Sequence, residues 1–436
     1  MIRLANVLVV HGDQAVADRL IGRLSANGYH GIRAATAEDA VAHATIEHPD
    51  LILVGQPDCD PVALAARLKG DSATADIPVL LLAQPVTAEL WGKAQECGLD
   101  DVLDWGVEDA ELFARLRPLT RLETMHAELR HRAAIAARFG VKARHRADGP
   151  EAGTRPAILV VGEATDGLVE LLAADADITT SANLYEAETM LAAKPFDAAV
   201  LNARTNGDAC LDFCSQVRNN PRLFNLPMVL VADAGLPLAD AYRRGATRLF
   251  HRPVDLVVLR AAVMTLVRRQ QLRWSIRAAL FDSLAEPTRD AETGAYGRAF
   301  LDTYLDSRLQ VAKSQARHLS VVFFYIPNIE GVRAQFGDDA ALHLAQQLGQ
   351  WIGGLLRAED LVALYRKNEF CVVLPDTPLV EAEVVMHRIA GVLAYTDFAV
   401  REVYQPVKIW VQVGCTDAHP DDDLAGLLAR AHRNLD

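Results

Sequence analysis

The chain has 436 residues, 51% apolar and 23% charged, with a net charge of −13. That length exceeds one ordinary core and predicts about three domains, and the composition excludes global disorder. The acidic balance argues against a broad basic face that neutralises DNA phosphates, so no DNA partner is expected.

Six cysteines (Cys59, Cys97, Cys210, Cys214, Cys371, Cys415) are scattered without a C-x-x-C pair or an accompanying His cluster. This argues against zinc. Cys210 and Cys214, one helical turn apart, read as buried thiols on an apolar face, and reduced thiols point to the cytosol. No apolar run approaches the roughly 18 residues of a membrane span, and the N-terminus lacks a signal-peptide layout. Neither membrane insertion nor export is expected.

In chain order, the first strand signal is "ANVLVV" (5–10), followed by a helical pattern at "QAVADRLIGRLSANGY". "HPDLILVG", "IPVLLLAQ" and the turn "CGLDDVLDW" come next. Nearly all-apolar strands alternating with amphipathic helices predict a parallel sheet covered on both faces. The order returns about 150 residues later as "AILVVG", "DGLVELLA", "FDAAVLNA", "LPMVLVAD" and "RGATRLFHRP", an internal duplication. The boundaries drawn are 1–125 for the first unit, a linker at 126–155, 156–270 for the second unit, a helical linker at 271–285, and 286–436 for the third domain. The first linker is helical and basic, then rich in Gly and Pro. A long amphipathic helix, "LVVLRAAVMTLVRRQQLRWSIRAALFDSL", leads into the third domain; its basic run "RRQQLRWSIR" reads as a solvated face. In the third domain, strands such as "LSVVFFYI" and "VKIWVQVGC" mix with helices expected to one side, an α+β arrangement.

The first two units resemble receiver domains, which carry an acid pair, a phospho-accepting Asp, a hydroxyl residue and a Lys-Pro. The family's carboxylates hold Mg²⁺, which neutralises the transferred phosphoryl group. Here the acid pair becomes His11 and Gly12, followed by Asp13, and then Gly162 and Glu163. Gly55 and Asn202 stand at the two acceptor positions, and Ala83 and Ala232 at the hydroxyl positions. Trp105–Gly106 and Arg252–Pro253 replace Lys-Pro. Both sites are expected to be silent towards aspartyl phosphorylation, with Asp58 or Asp60 as the alternative acceptor. The units then serve dimerisation and docking, and two in series point to a symmetric homodimer.

The third domain resembles a GGDEF domain, the fold of diguanylate cyclases. "DAETGAYGRAF" keeps Asp290, Thr293, Gly294, Arg298 and Phe300 of the family's opening motif. The register from "QFGDD" puts Tyr325 and Pro327 at the two metal-binding Asp positions. Arg333 and Leu342 fall at the guanine-contacting positions. The signature reads Arg366, Lys367, Asn368, Glu369, Phe370, with both glycines and the first acid gone. Metal-dependent phosphoryl transfer needs those carboxylates and the close backbone approach that glycine permits. The last helix also stops before the family's phosphate-contacting segment. The resemblance therefore implies no catalysis and no bound metal, with Glu369 and Phe370 left to pack the hairpin.

GGDEF domains often carry a product site, R-x-x-D, five residues before the signature. Arg357 and Asp360 occupy that offset, whereas Arg252/Asp255 and Arg433/Asp436 match the pattern out of register. The resemblance implies binding of cyclic di-GMP there, with Arg388 as a further ligand. A guanidinium can fork onto guanine N7 and O6, and a carboxylate can accept from N1–H and the exocyclic amine. The bland alternative is an Arg357–Asp360 surface ion pair worth under about 1 kcal/mol. Arg308, Lys313 or Arg317 of a neighbouring protomer is expected to complete the site.

The fold class expected is thus α/β and α+β multidomain: two tandem doubly wound, flavodoxin-like receiver units and a GGDEF (nucleotidyl-cyclase-like) domain. This is the layout of PleD-type response regulators. The resemblance implies a cytoplasmic, polar, non-catalytic cyclic di-GMP effector that presents partners to a protease adaptor and the ClpXP protease in the cell cycle. The alternatives are an active or GTP-sensing cyclase-type response regulator and a ligand-free dimeric scaffold.

Overall fold

The structure, a computed structural model, describes residues 3–147, 154–204, 206–220 and 222–435. Most of the Gly- and Pro-rich stretch of the first linker, and Asp436 of the last R-x-x-D, lie outside the described residues. The described chain divides into two compact units, Ala5–Glu123 with Asp148–Ser275, and Thr124–Ala147 with Ile276–Asp436 and the first few residues. No described helix is long and apolar enough to cross a membrane.

The unit beginning at Ala5 contains both parallel sheets. The first alternates β1 (Asn6–Val10), α1 (Gln14–Ala26), β2 (His30–Ala34), α2 (Ala37–Glu47), β3 (Leu51–Val54), α3 (Pro61–Gly70), β4 (Val79–Ala83), α4 (Ala88–Glu96) and β5 (Asp101–Asp104), and then α5 (Asp109–Arg138). The second alternates β6 (Ala157–Val161), α6 (Asp166–Ala173), β7 (Asp177–Ser181), α7 (Leu184–Ala193), β8 (Ala198–Ala203), α8 (Gly207–Asn219), β9 (Met228–Ala232), α9 (Leu238–Arg243) and β10 (Arg248–His251), and then α10 (Leu256–Leu280). Both sheets run in the order 2-1-3-4-5, the flavodoxin-like winding. Every residue of β3 and β8 is buried, as a parallel sheet covered on both faces requires. Helix starts are set by side-chain caps: Asp13 accepts from Val16 N–H, Thr36 from Asp39 N–H and Thr87 from Leu90 N–H.

The two sheets share one unit because a buried charge cluster ties them. Asp101 of β5 is 0% exposed and accepts from Arg248 of β10, which is 1% exposed. Arg115 of α5 reaches Asp101 at 3.4 Å, and Arg269 approaches it at 3.9 Å. Here the reading of "RRQQLRWSIR" as a solvated face is corrected. Arg269 and Gln270 are buried, and Arg268 and Arg269 donate to the carbonyls of Leu99 and Asp100. The run is polar because it lines a polar contact within the unit. Cys210 and Cys214 of α8 are buried in the apolar core, and burial pushes their thiols up to about 11 and about 12.

The other unit holds α11 (Arg298–Gln315), β11 (Leu319–Tyr325), α12 (Asn328–Phe336), α13 (Asp338–Gly354), β12 (Leu361–Arg366), β13 (Glu369–Pro375), α14 (Leu379–Tyr395), β14 (Gln412–Asp417) and α15 (Leu424–Arg433). Its sheet is antiparallel in the order β12-β13-β11-β14. The helices do not lie to one side. Val322, Phe324 and Phe370 pack with α13 and α14, while Val321, Phe323 and Cys371 pack with α11 and α15. Amphipathy shows that a helix has a buried face, but not which face of the sheet receives it. Gly337, at φ +90°, joins α12 directly to α13, a backbone position that L side chains rarely adopt. The fold class expected from the sequence is the one observed.

Candidate functional site

At the first acceptor position, Gly55 follows β3, and a Cβ there would lie 2.6 Å from the Trp105 ring and 2.8 Å from His11. His11 and Trp105 meet edge to face at 5.2 Å. The space that a side chain at Gly55 would enter is therefore occupied by an aromatic pair. Gly55→Asp is expected to destabilise the protein by about 1–3 kcal/mol through overpacking, read as a lower urea midpoint, without gaining label from a phosphodonor. At the second, Asn202 is buried; its amide donates to the carbonyls of Glu163 (2.6 Å) and Ala164 (3.3 Å), and its oxygen accepts from Arg252. Asp58 accepts from Ala37 N–H at 2.8 Å, and Asp60 caps α3 through Val62 N–H. Both alternative acceptors thus have structural hydrogen bonds.

The β12–β13 hairpin turns through Lys367 and Asn368. Only Asn368 takes positive φ (+64°) in this turn, which asparagine tolerates, so the loop closes without glycine. Glu330 of α12 gathers what surrounds it: Asn368 donates to it at 2.8 Å and the Lys367 ammonium lies at 3.0 Å. Hydrogen bonds from Asn368 and Lys367 hold the Glu330 carboxyl below its usual range. Arg333 is paired with Asp338, and Arg366 is exposed beside the Tyr365 ring. Tyr325 ends β11 half-buried, and Pro327 and Leu342 are half-buried as well. This corner brings together the Lys367 and Arg333 cations, the Asn368 amide and the paired carboxylates of Glu330 and Asp338. Phe370 is in the core, and Glu369 is buried with His432 at 3.0 Å.

Arg357 and Asp360 sit in the turn between α13 and β12. Asp360 N–H donates to the Arg357 carbonyl at 3.2 Å, and Arg357 N–H donates back to Asp360 Oδ2 at 2.9 Å. Asp360 is 7% exposed, so the pair is no surface ion bridge. Its other oxygen, Oδ1, is buried without a hydrogen-bond partner among the described residues. Burial, then the neighbouring Glu359 charge, push the Asp360 carboxyl up to about 7 against the lowering effects of Arg357 and Arg132. The Arg357 guanidinium reaches Glu381 of α14 at 3.6 Å. Arg388, two turns further along α14, donates to the Leu355 carbonyl at 2.9 Å. Its guanidinium is held below its usual value by burial and by Arg357, with Asp360 opposing. The fold thus brings Arg357, Asp360 and Arg388 into one electrostatic neighbourhood.

Arg357 and Asp360 line a cleft of about 500 Å³ that Arg132, Arg277, Arg289 and Gln350 also line. One wall is the retained opening motif: Thr293 N–H and hydroxyl both donate to Asp290 Oδ1, at 2.8 and 2.7 Å, and Gly294 turns the chain at φ +76°. The size suits a small-molecule ligand, and a lining that combines arginines with a carboxylate suits one that carries acceptors, donors and negative charge. Sequence reasoning missed Arg132, Arg277, Arg289 and Glu381; only Glu381, seven residues from Arg388 on one helix face, had a local signal. Arg308, Lys313 and Arg317, the residues considered for a neighbouring protomer's site, each have contacts within their own unit. Arg308 is buried within 3.1 Å of Glu128, and Arg317 donates to the Leu4 carbonyl. Lys313 is exposed and donates to the Asp422 carbonyl.

Residues 288–436 match the family model described as "Diguanylate cyclase, GGDEF domain". The chain is similar to the response regulator PleD of Caulobacter vibrioides, 28% identical over 444 residues that cover 99% of this chain and 96% of that protein. It is also similar to the phosphate regulon transcriptional regulatory protein PhoB of Pseudomonas aeruginosa, 30% identical over 118 residues, 27% of this chain and 52% of PhoB. Among solved structures, the GGDEF domain of DgcB from Caulobacter crescentus in complex with c-di-GMP covers 34% of this chain and 85% of its own, at 17% identity and a TM-score of 0.33. Along nearly its whole length the chain is thus similar to a PleD-type response regulator, and its last third matches the GGDEF-domain model.

Proposed function

We propose that this chain is a non-catalytic cyclic di-GMP receptor that binds the dinucleotide through Arg357, Asp360 and Arg388. The observation that carries the reading is Asp360, which lines a cleft together with four arginines and whose buried Oδ1 has no hydrogen-bond partner among the described residues. Such an atom is costly to leave unpaired, and a carboxylate can accept guanine N1–H and the exocyclic amine. Arg357 supplies the complementary fork to N7 and O6. The exposed guanidiniums of Arg277 and Arg289 suit the two phosphates.

The loss of catalysis is supported by what stands at the family's metal positions. Tyr325 and Pro327 offer no carboxylate, and Asn368 spends its amide on Glu330. No metal is required for the proposed binding. Incubation with Mg²⁺ and GTP is expected to yield no cyclic dinucleotide by chromatography, and turnover would revive the cyclase reading. Calorimetric titration of the full chain with cyclic di-GMP is expected to give a saturable heat; its absence defeats the receptor reading and favours a ligand-free scaffold.

By resemblance, the protein acts as a PopA-like effector. It works as a homodimer at the cell pole and, when liganded, presents cell-cycle regulators to ClpXP through an adaptor. The ligand shifts such an equilibrium only by binding one state more tightly than the other. A clamp of charged groups around the dinucleotide supplies that difference.

A further inference from the structure

Arg132, in the second half of α5, is 4% exposed and lines the cleft from a different element than the turn that carries Arg357 and Asp360. It donates to two successive carbonyls, those of Glu359 and Asp360, the latter at 3.0 Å. Its own guanidinium is aimed by Glu128, one turn earlier, at 3.2 Å. Glu128 is in turn fixed by the Tyr304 hydroxyl at 2.7 Å and by Arg308 at 3.1 Å, both from α11. Both bonds come from one nitrogen, Nη2, so a single donor group spans two consecutive carbonyls and fixes the peptide between them, in the turn that carries Asp360.

We infer that Arg132 is a positioning residue for the ligand site: held by Glu128, it sets the orientation of the 357–360 turn and supplies a fixed positive charge behind Asp360. This rests on the reading of the cleft as a cyclic di-GMP site. Arg132 need not touch the ligand. The other charged groups acting on the Asp360 carboxyl are Glu359, Arg357 and, from α14, Arg388. Removing Arg132 leaves Glu359 less opposed, so the carboxyl holds its proton to higher pH.

The test is calorimetry of the full chain with cyclic di-GMP across a pH series, for wild type, Arg132→Gln and Arg132→Lys. Arg132→Gln is expected to weaken binding at least about tenfold, the loss of two hydrogen bonds and a charge, and to move the midpoint of the affinity–pH curve upward. Arg132→Lys keeps the charge but loses the Nε bond to Glu128 that aims the donor, so it should keep the wild-type midpoint and recover only part of the affinity. A purely structural role lowers affinity without moving the midpoint, and Lys would then rescue no better than Gln; that outcome overturns the inference, as does wild-type binding by both variants. If Arg132→Gln does not fold, Arg132→Met is measured in its place: an upward midpoint supports the inference and an unmoved one overturns it. The underlying reading fails separately: it falls if wild type shows no heat, or if Arg357→Gly binds normally, whereas a wild type that binds, an Arg357→Gly that does not, and an unaffected Arg132→Gln remove this inference alone.

Discussion

Arg357→Gly is expected to bind cyclic di-GMP at least about tenfold more weakly than wild type. A charge-assisted hydrogen bond is worth roughly 1.5–3 kcal/mol, and about 1.4 kcal/mol is tenfold in affinity. The loss should be specific to binding. In the empty protein the Arg357 side chain has an ion pair with half-exposed Glu381 at 3.6 Å, a type of contact worth under about 1 kcal/mol. The melting temperature should therefore barely move while the calorimetric heat disappears. Tight binding by the variant would defeat the assignment of the site.

The same site predicts a pH dependence. Burial pushes the Asp360 carboxyl up to about 7 in the folded protein. A raised carboxyl makes its stabilising contribution at low pH, and that contribution falls as pH rises from the ordinary aspartate range through about 7. Ligand binding has the opposite sign, since guanine N–H donors need the carboxylate. Affinity should fall about tenfold per unit below pH 7, level off above it, and be accompanied by proton release. Titrations in buffers of differing ionisation heat measure that release directly. A flat affinity between about pH 6 and pH 8 would show that Asp360 does not accept from the ligand.

How much of this was legible follows from the range of each interaction. The parallel sheets could be read because a strand buried on both faces is a continuous apolar run, as "LILV" and "AAVLNA" are. The Arg357–Asp360 turn could be read because the pair sits at a fixed offset before the hairpin. The vacancy at Gly55 could be read too, but not its filling. Trp105 lies fifty positions away, and only the joint change of both residues from the family pattern would have hinted at it. Arg132 meets Glu359 across 227 positions, and Asp101 meets Arg248 across 147. No periodicity marks such a contact, since each partner alone resembles a surface charge. The basic run on α10 was misread for that reason: a buried arginine satisfied by carbonyls is spelled like a solvated one.

Asp101→Ala is expected to cost about 3–5 kcal/mol, the penalty for leaving a buried charge without its partner. Arg248, Arg115 and Arg269 all lie within 4 Å of this one carboxylate. Burial alone would raise the Asp101 carboxyl, but the three guanidiniums outweigh it and hold it below its ordinary value. Its contribution is thus complete above the ordinary aspartate range and is lost as pH falls through the lower folded value. Near neutrality the variant should melt roughly 6–20 °C lower, at about 2–4 °C per kcal/mol for a unit of this size. Deleting the exposed Arg67–Glu38 pair is the control and should cost under about 1 kcal/mol. The deficit of Asp101→Ala should shrink in strong acid, where wild type also loses the charge. An equal effect from the two deletions would mean that the Asp101 cluster is not what joins the two parallel sheets.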